Sequence, residues 1–219
     1  MNYIDIHTHS YYQDPEVTLL LNTFPEETNK TGHPVMLSMG LHPWHINENN
    51  WEDLVETIRQ SASTNPHVAA IGETGLDKTI SCPLSVQEKV FLAQLLVAET
   101  YRKPVVIHCV RSYSEMLAHR KKSDQRIPWI FHWYNADEQI ARELIRKNCY
   151  LSFGHMLFND KSKAFRVFKT TPFEHIFFET DDAGYTIRQV YEQAALLKNL
   201  QVTDLKKKII DNFARCFQK

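Results

Sequence analysis

A chain of 219 residues is long enough for one domain with a substantial core, and one domain spanning residues 1–219 is expected. Its 43% hydrophobic and 23% charged residues are those of a globular fold, and a formal net charge of −1 leaves no global basic field to recruit nucleic acid or anionic membrane. No apolar run is long enough to span a bilayer, no signal peptide precedes the first strand, and Cys82, Cys109, Cys149 and Cys216 form no CxxC pair. A cytoplasmic monomer with free thiols and no membrane partner is the expectation.

The chain opens on Tyr3-Ile4-Asp5-Ile6-His7-Thr8-His9-Ser10, an apolar, β-branched start that reads as a buried strand. Side chains alternate faces along a strand, so Asp5, His7 and His9 share one face. Two imidazoles two residues apart can grip one divalent cation, with a carboxylate beside them to fix their orientation. After a polar loop, Val17–Leu21 reads as a strand, 25–34 as a loop, and Pro34–Gly40 as another strand. Trp51–Ser61 carries apolar residues at helical spacing. Val68–Gly72 is a strand running into Glu73-Thr74-Gly75-Leu76-Asp77.

Ser85–Tyr101 is the clearest helix, with Ser85 as N-cap and Glu88 as its capping-box partner. Val105–Ile107 is a strand ending at His108, and a helix covers Tyr113–Lys122. Pro128–Phe131 is a strand ending at His132, followed by a helix over Ala136–Lys147. Cys149–Phe153 is a strand, a helix lies near 161–169, and Ile176–Phe178 is a strand leading to Glu179-Thr180-Asp181-Asp182. Helices over 187–199 and 203–217 close the chain. Eight apolar strands alternating with amphipathic helices imply a parallel sheet buried on both faces. A (β/α)8 TIM-type barrel fits, distorted because the first strands leave no room for proper helices after them.

The polar residues that interrupt this pattern fall at strand ends: His7, His9, Glu73, His108, His132 and Asp181. Six N/O donors suffice for two divalent cations about 3.5–4 Å apart, bridged by one carboxylate. The ions are expected among Mg, Mn and Zn, and an imidazole-rich set favours the transition metals. Such a pair activates water and clamps a phosphoryl or carbonyl oxygen, so hydrolysis is the natural reaction.

On these residues the chain resembles the TatD family of metal-dependent deoxyribonucleases, in the amidohydrolase-like barrel superfamily. The resemblance runs in order through Asp5-Ile6-His7-Thr8-His9, Gly40-Leu41-His42-Pro43, Ile71-Gly72-Glu73-Thr74-Gly75-Leu76-Asp77, Gln87 with Phe91, Pro104–His108, His132, Glu179-Thr180-Asp181, and Asn212 with Phe217. It implies that His7, His9 and Asp181 hold one metal, that His108 and His132 hold the other, and that Glu73 bridges them. Asp181 and Glu73 are then the catalytic carboxylates, with Asp181 orienting or deprotonating the attacking water. Asp5 would fix imidazole orientation, His42 would contact a substrate phosphate, and Asn212 and Phe217 would pack the last helix. The implied substrate is DNA, at single-stranded stretches or ends, with Trp44, Trp133 and Tyr134 as candidates for base stacking.

The chain also departs from the family. The segment before Gly40 is short, Trp133-Tyr134-Asn135-Ala136 replaces the usual Cys-Phe-Ser-Gly after the fourth histidine, and Gly154-His155 ends the usual Ser-Phe-Ser-Gly differently. Asp182 stands where a small residue is common. A hydrolase of a small phosphoester, amide or lactone is therefore the second expectation, and a non-catalytic, metal-stabilised binding protein the third.

Overall fold

The computed structural model describes residues 2–27 and 35–217. Its strands are β1 (Tyr3–Thr8), β2 (Val17–Thr23), β3 (Met36–Met39), β4 (Val68–Asp77), β5 (Val105–Val110), β6 (Trp129–Phe131), β7 (Cys149–Phe153) and β8 (Ile176–Phe178). The helices are α1 (Trp51–Thr64), α2 (Leu84–Tyr101), α3 (Tyr113–Lys122), α4 (Glu138–Arg146), α5 (Lys163–Thr170), α6 (Ile187–Lys198) and α7 (Val202–Phe217). Hydrogen bonding orders the strands β1 to β8 as they occur in the chain, with parallel pairing for β3–β4, β4–β5 and β7–β8 and a parallel bridge between Thr8 and Asp181. This is the strand and helix order of a (β/α)8 barrel. No helix separates β1 from β2, and none lies between β2 and β3 among the described residues. The expected loss of the helix after β1 is thus observed; part of the 25–34 loop, residues 28–34, lies outside the described residues.

Contacts group the chain into two compact units, Leu21–Ile130 and Met1–Leu20 with Phe131–Lys219. In the first unit, the strands β4 and β5 are buried almost throughout, with Ile71, Leu76, Val105, Val106 and Ile107 fully enclosed. Val90, Phe91, Leu95 and Ala98 make the inward face of α2, and Phe91 meets Trp129 edge to face at 5.4 Å. Arg120 is buried there as well. Its guanidinium lies over the Trp129 ring at 5.2 Å and donates to the Ile127 carbonyl at 3.0 Å.

Three glycines of this unit mark close backbone approaches. Gly75 lies opposite His108 in the β4–β5 register, at φ +154°, and a Cβ there would collide with the His108 carbonyl oxygen. A Cβ at Gly40 would come within 2.6 Å of the Gly72 Cα. The glycines of the Gly72-Glu73-Thr74-Gly75 string therefore let neighbouring backbones pack around Glu73.

In the second unit Ile4, Ile6, Leu151, Phe153, Phe177 and Phe178 are buried. Helix α6 holds β1 through one side chain: the Tyr191 hydroxyl accepts from the Ile4 N–H at 3.1 Å and donates to the Ile4 carbonyl at 3.2 Å. Helix α7 is tied down by Asn212, whose amide donates to the carbonyls of Phe173 and Ile176, each at 2.7 Å. Phe213 stacks on Phe217 at 4.6 Å within α7 itself.

Two local expectations are corrected. The strand expected over Val68–Gly72 extends through Glu73–Asp77, all of it β4, with irregular register between Ile71 and Thr74. The start of α2 has no capping box: Pro83 stands at the N-cap, its carbonyl accepting from Val86 and Gln87, while Ser85 lies inside the first turn. Glu88 instead pairs with His119 at 3.0 Å. Proline supplies the entry that the serine was expected to supply, because its fixed φ is already suited to a helix start.

Candidate functional site

In the unit Leu21–Ile130, the ends of β4 and β5 bring Glu73 and His108 together. Glu73 Oε1 lies 2.8 Å from His108 Nδ1 and 3.1 Å from His42 Nε2. One ligand atom from each of His42, Glu73 and His108 falls within 4.8 Å of the others, and all three residues are buried. The second nitrogen of His108 lies 3.3 Å from Asp77 Oδ2, and the Trp44 indole donates to that same carboxylate oxygen at 2.8 Å. Burial opposes a charge on His108, but Glu73 and Asp77 outweigh it and raise its pKa. Burial also acts on His42 and there prevails, lowering its pKa against the pull of Glu73.

Helix α2 holds this end of β4 in place through two buried amides. Gln87 accepts from the Asp77 N–H at 2.7 Å and donates to the Asp77 carbonyl at 3.0 Å and the Cys82 carbonyl at 2.8 Å. Gln94 accepts from the Leu41 N–H at 2.7 Å and donates to the Thr74 hydroxyl at 2.6 Å. The Glu73 N–H is taken by Asn22 at 2.9 Å. The backbone N–H groups of Leu41, Glu73 and Asp77 are thus each matched by a buried side-chain amide, which fixes the geometry of this end of β4.

In the other unit β1, β6 and β8 converge. Ligand atoms of His7, His132 and Asp181 lie within 4.8 Å of one another. Asp181 Oδ1 is 3.5 Å from His7 Nε2 and 3.3 Å from His9 Nε2, and the His7 and His132 rings are 4.5 Å apart. Backbone bonds lock Asp181 against β1: its N–H donates to the His7 carbonyl at 2.9 Å, and its carbonyl accepts from His9 at 3.3 Å. Its φ is +53°, a conformation that aspartate and asparagine tolerate better than most residues. Burial works against ionisation of Asp181, yet hydrogen bonds from His7 and His9 override it and hold the carboxyl well below its usual range. Both donor sets combine imidazole with carboxylate, the chemistry that suits a divalent transition metal.

The Asp5 carboxylate accepts from the Thr180 N–H at 3.0 Å, the Thr180 hydroxyl at 2.7 Å and the Tyr12 hydroxyl at 2.8 Å, so it fixes the residue beside Asp181. Burial pushes its pKa up to about 6, with the bonds from Thr180 and Tyr12 pulling back. Asp5→Ala strands three buried donors and should cost about 2–4 kcal/mol by urea denaturation. Asp5→Asn should cost under about 1.5 kcal/mol, because both hydroxyls can reverse and donate less while accepting from the amide.

His42 lies 3.1 Å from Glu73 Oε1 and its ring neighbours that of His108 at 4.3 Å, so it is one of the three residues that could hold an ion here. Tyr134 is buried, its hydroxyl bonded to the Asp137 carbonyl at 2.8 Å, and cannot stack on a base. Trp44 and Trp133 are exposed. Two carboxylates were missed as site residues. Asp77 backs His108, and Glu179 lies 3.9 Å from His132 Nδ1 while accepting from the Trp133 N–H. Burial pushes Glu179 up to about 8; the nearby Asp181 charge pushes the same way, against His7. The signal for both was present, since each is an acidic residue directly beside a strand-end motif.

A family model described as TatD related DNase matches residues 16–218, a span that begins after the His7–His9 pair. The uncharacterized metal-dependent hydrolase YcfH of Escherichia coli strain K12 is 29% identical over 199 residues, covering 84% of this chain and 74% of the relative. The 3'-5' ssDNA/RNA exonuclease TatD of Cronobacter turicensis is 28% identical over 165 residues, covering 73% of this chain and 62% of the relative. Among solved structures, YJJV, a TatD homolog from E. coli K12, superposes with a TM-score of 0.83 at 19% identity, over 99% of this chain and 98% of that one. No helix of the described residues is long and apolar enough to cross a membrane. The chain belongs to the TatD-related DNase family and is a metal-dependent hydrolase.

Proposed function

We propose that the protein removes nucleotides from the 3' end of single-stranded DNA, using two divalent ions held by His7, His9, Glu73, His108, His132 and Asp181. The observation that carries this reading is the pair of imidazole–carboxylate clusters, His7/His132/Asp181 and His42/Glu73/His108, in a chain of this family. The polarity follows the name of the Cronobacter relative. In this reading His9 would join the first set, and His42 would be an added ligand or a brace for Glu73. Bound divalent ions would lower the pKa of a water and polarise a phosphoryl oxygen.

The chain's own residues supply the rest. Asp181, held as the anion, accepts a hydrogen bond from the attacking water and orients it. Asp77 and Glu179 steady the imidazoles of His108 and His132 from behind. Asp5 and Tyr12 keep Thr180, and with it Asp181, at the end of β8. The test is a panel of end-labelled single-stranded DNA, RNA and a chromogenic phosphodiester, assayed with Mn or Mg and again with a chelator. Shortening of DNA from its 3' end that stops on chelation and returns with metal is the expected result. Hydrolysis of the small diester with no shortening of nucleic acid would overturn the substrate and favour a small-molecule hydrolase.

A further inference from the structure

Beside Asp181 lies a cavity of about 290 Å³. Asp181 is among its lining residues, which places it next to the proposed reaction centre; Ala183, Tyr185 and Ile187 supply apolar surface, and Asp182 supplies a carboxylate. The volume is at the small end of ligand cavities and admits one ring system with its sugar, not a duplex.

The charges at this cavity select against phosphate. Arg188 is its cationic residue, and its guanidinium is already engaged by Asp14 and Glu16, each at 2.8 Å. Asp182 is exposed, and no hydrogen bond or ion pair joins its carboxylate to the described residues. A lining with three carboxylates (Asp14, Asp181 and Asp182) and a neutralised arginine accepts an uncharged group that carries N–H donors. The Tyr185 ring gives that group a planar surface. It is stacked on Phe158 at 4.2 Å with the planes 13° apart, which fixes its orientation, and 39% of the residue remains exposed.

We infer that this cavity receives the 3'-terminal nucleobase of the substrate, packed on Tyr185, with Asp182 accepting its amino group. The inference rests on the nuclease reading given above and adds a base preference to it. Guanine presents N1–H and an amino group side by side and can engage the carboxylate at two points; adenine and cytosine offer one amino group each. Thymine has no exocyclic amine, and its N3–H is flanked by two carbonyl oxygens that a carboxylate repels. The expected order is guanine first, then adenine and cytosine, then thymine. Asp182 is on this account a specificity-determining residue.

The test uses the metal-loaded enzyme and 5'-labelled oligonucleotides that differ only in the 3'-terminal residue: G, A, C, T or abasic. Affinity is read by fluorescence anisotropy on versions with a nuclease-resistant last linkage, and removal of the last nucleotide is read on ordinary ones. A guanine terminus should bind roughly tenfold tighter than thymine. Asp182→Ala should bring the four bases within about twofold of each other while keeping their advantage over the abasic end. Tyr185→Ala should remove roughly tenfold from every base and little from the abasic end. Both side chains are exposed, so neither change threatens the fold. Equal binding of all five termini by the parent, or an unchanged preference in Asp182→Ala, overturns the cavity assignment while continued shortening leaves the nuclease reading standing. Failure to bind or shorten any oligonucleotide overturns both.

Discussion

Asp181→Asn is expected to lower the rate of DNA shortening by roughly 10²–10⁴-fold at saturating metal, with the urea midpoint close to that of the parent. The substitution is chosen for what it keeps. Asparagine is at ease at the φ of +53° that this position adopts, and the backbone bonds to His7 and His9 do not involve the side chain. What it removes is the negative charge, whose Oδ1 faces His7 at 3.5 Å and His9 at 3.3 Å. An amide there is a poorer metal ligand and a poorer acceptor for the attacking water. A rate within threefold of the parent would remove Asp181 from the chemistry.

Gly75→Ala carries the largest expected cost in stability, about 4 kcal/mol or more by urea denaturation. Two effects add. The residue sits at φ +154°, where any side chain is strained, and its Cβ would meet backbone, the His108 carbonyl, which cannot turn aside as a side chain does. Because Gly75 and His108 are partners in the β4–β5 register, relief requires those strands to separate beneath the Glu73–His108 pair. Activity should therefore fall with stability. A loss below about 1 kcal/mol would mean that β4 and β5 pack less closely than described.

The sequence was most legible where one physical signal dominates. Continuous apolar runs gave β5, β7 and β8 within a residue or two, since a strand buried on both faces has no competing pattern. The strand-end histidines were equally plain, because a polar side chain just past an apolar run has little structural reason to be there. Legibility ended where the outcome depends on which specific partner, near or remote in the chain, a residue finds in the fold. Asp5 shares a strand face with His7 and His9 by simple alternation, but its bonds go to Tyr12 and to Thr180, on the far side of the sequence. Nothing near His42 in the sequence announces Glu73, which stands 3.1 Å from it. Ser85 and Glu88 carry a capping box in sequence, yet Pro83 two residues earlier starts the helix first. Tyr134, an aromatic in a loop, turns inward because Asp137 offers its carbonyl to the hydroxyl. Asp182 required the cavity to be seen, since nothing local distinguishes a carboxylate that lines a pocket from one that only faces water.

The measurement that bears most directly on the whole account is the metal content of the purified chain after equilibration with manganese or zinc and removal of free ions. Two equivalents per chain are expected, falling to about one in His108→Ala, with DNA shortening declining in step. A preparation that shortens DNA while holding no metal, or variants at His108 that keep both ions, would contradict the assignment of the two clusters as the hydrolytic centre.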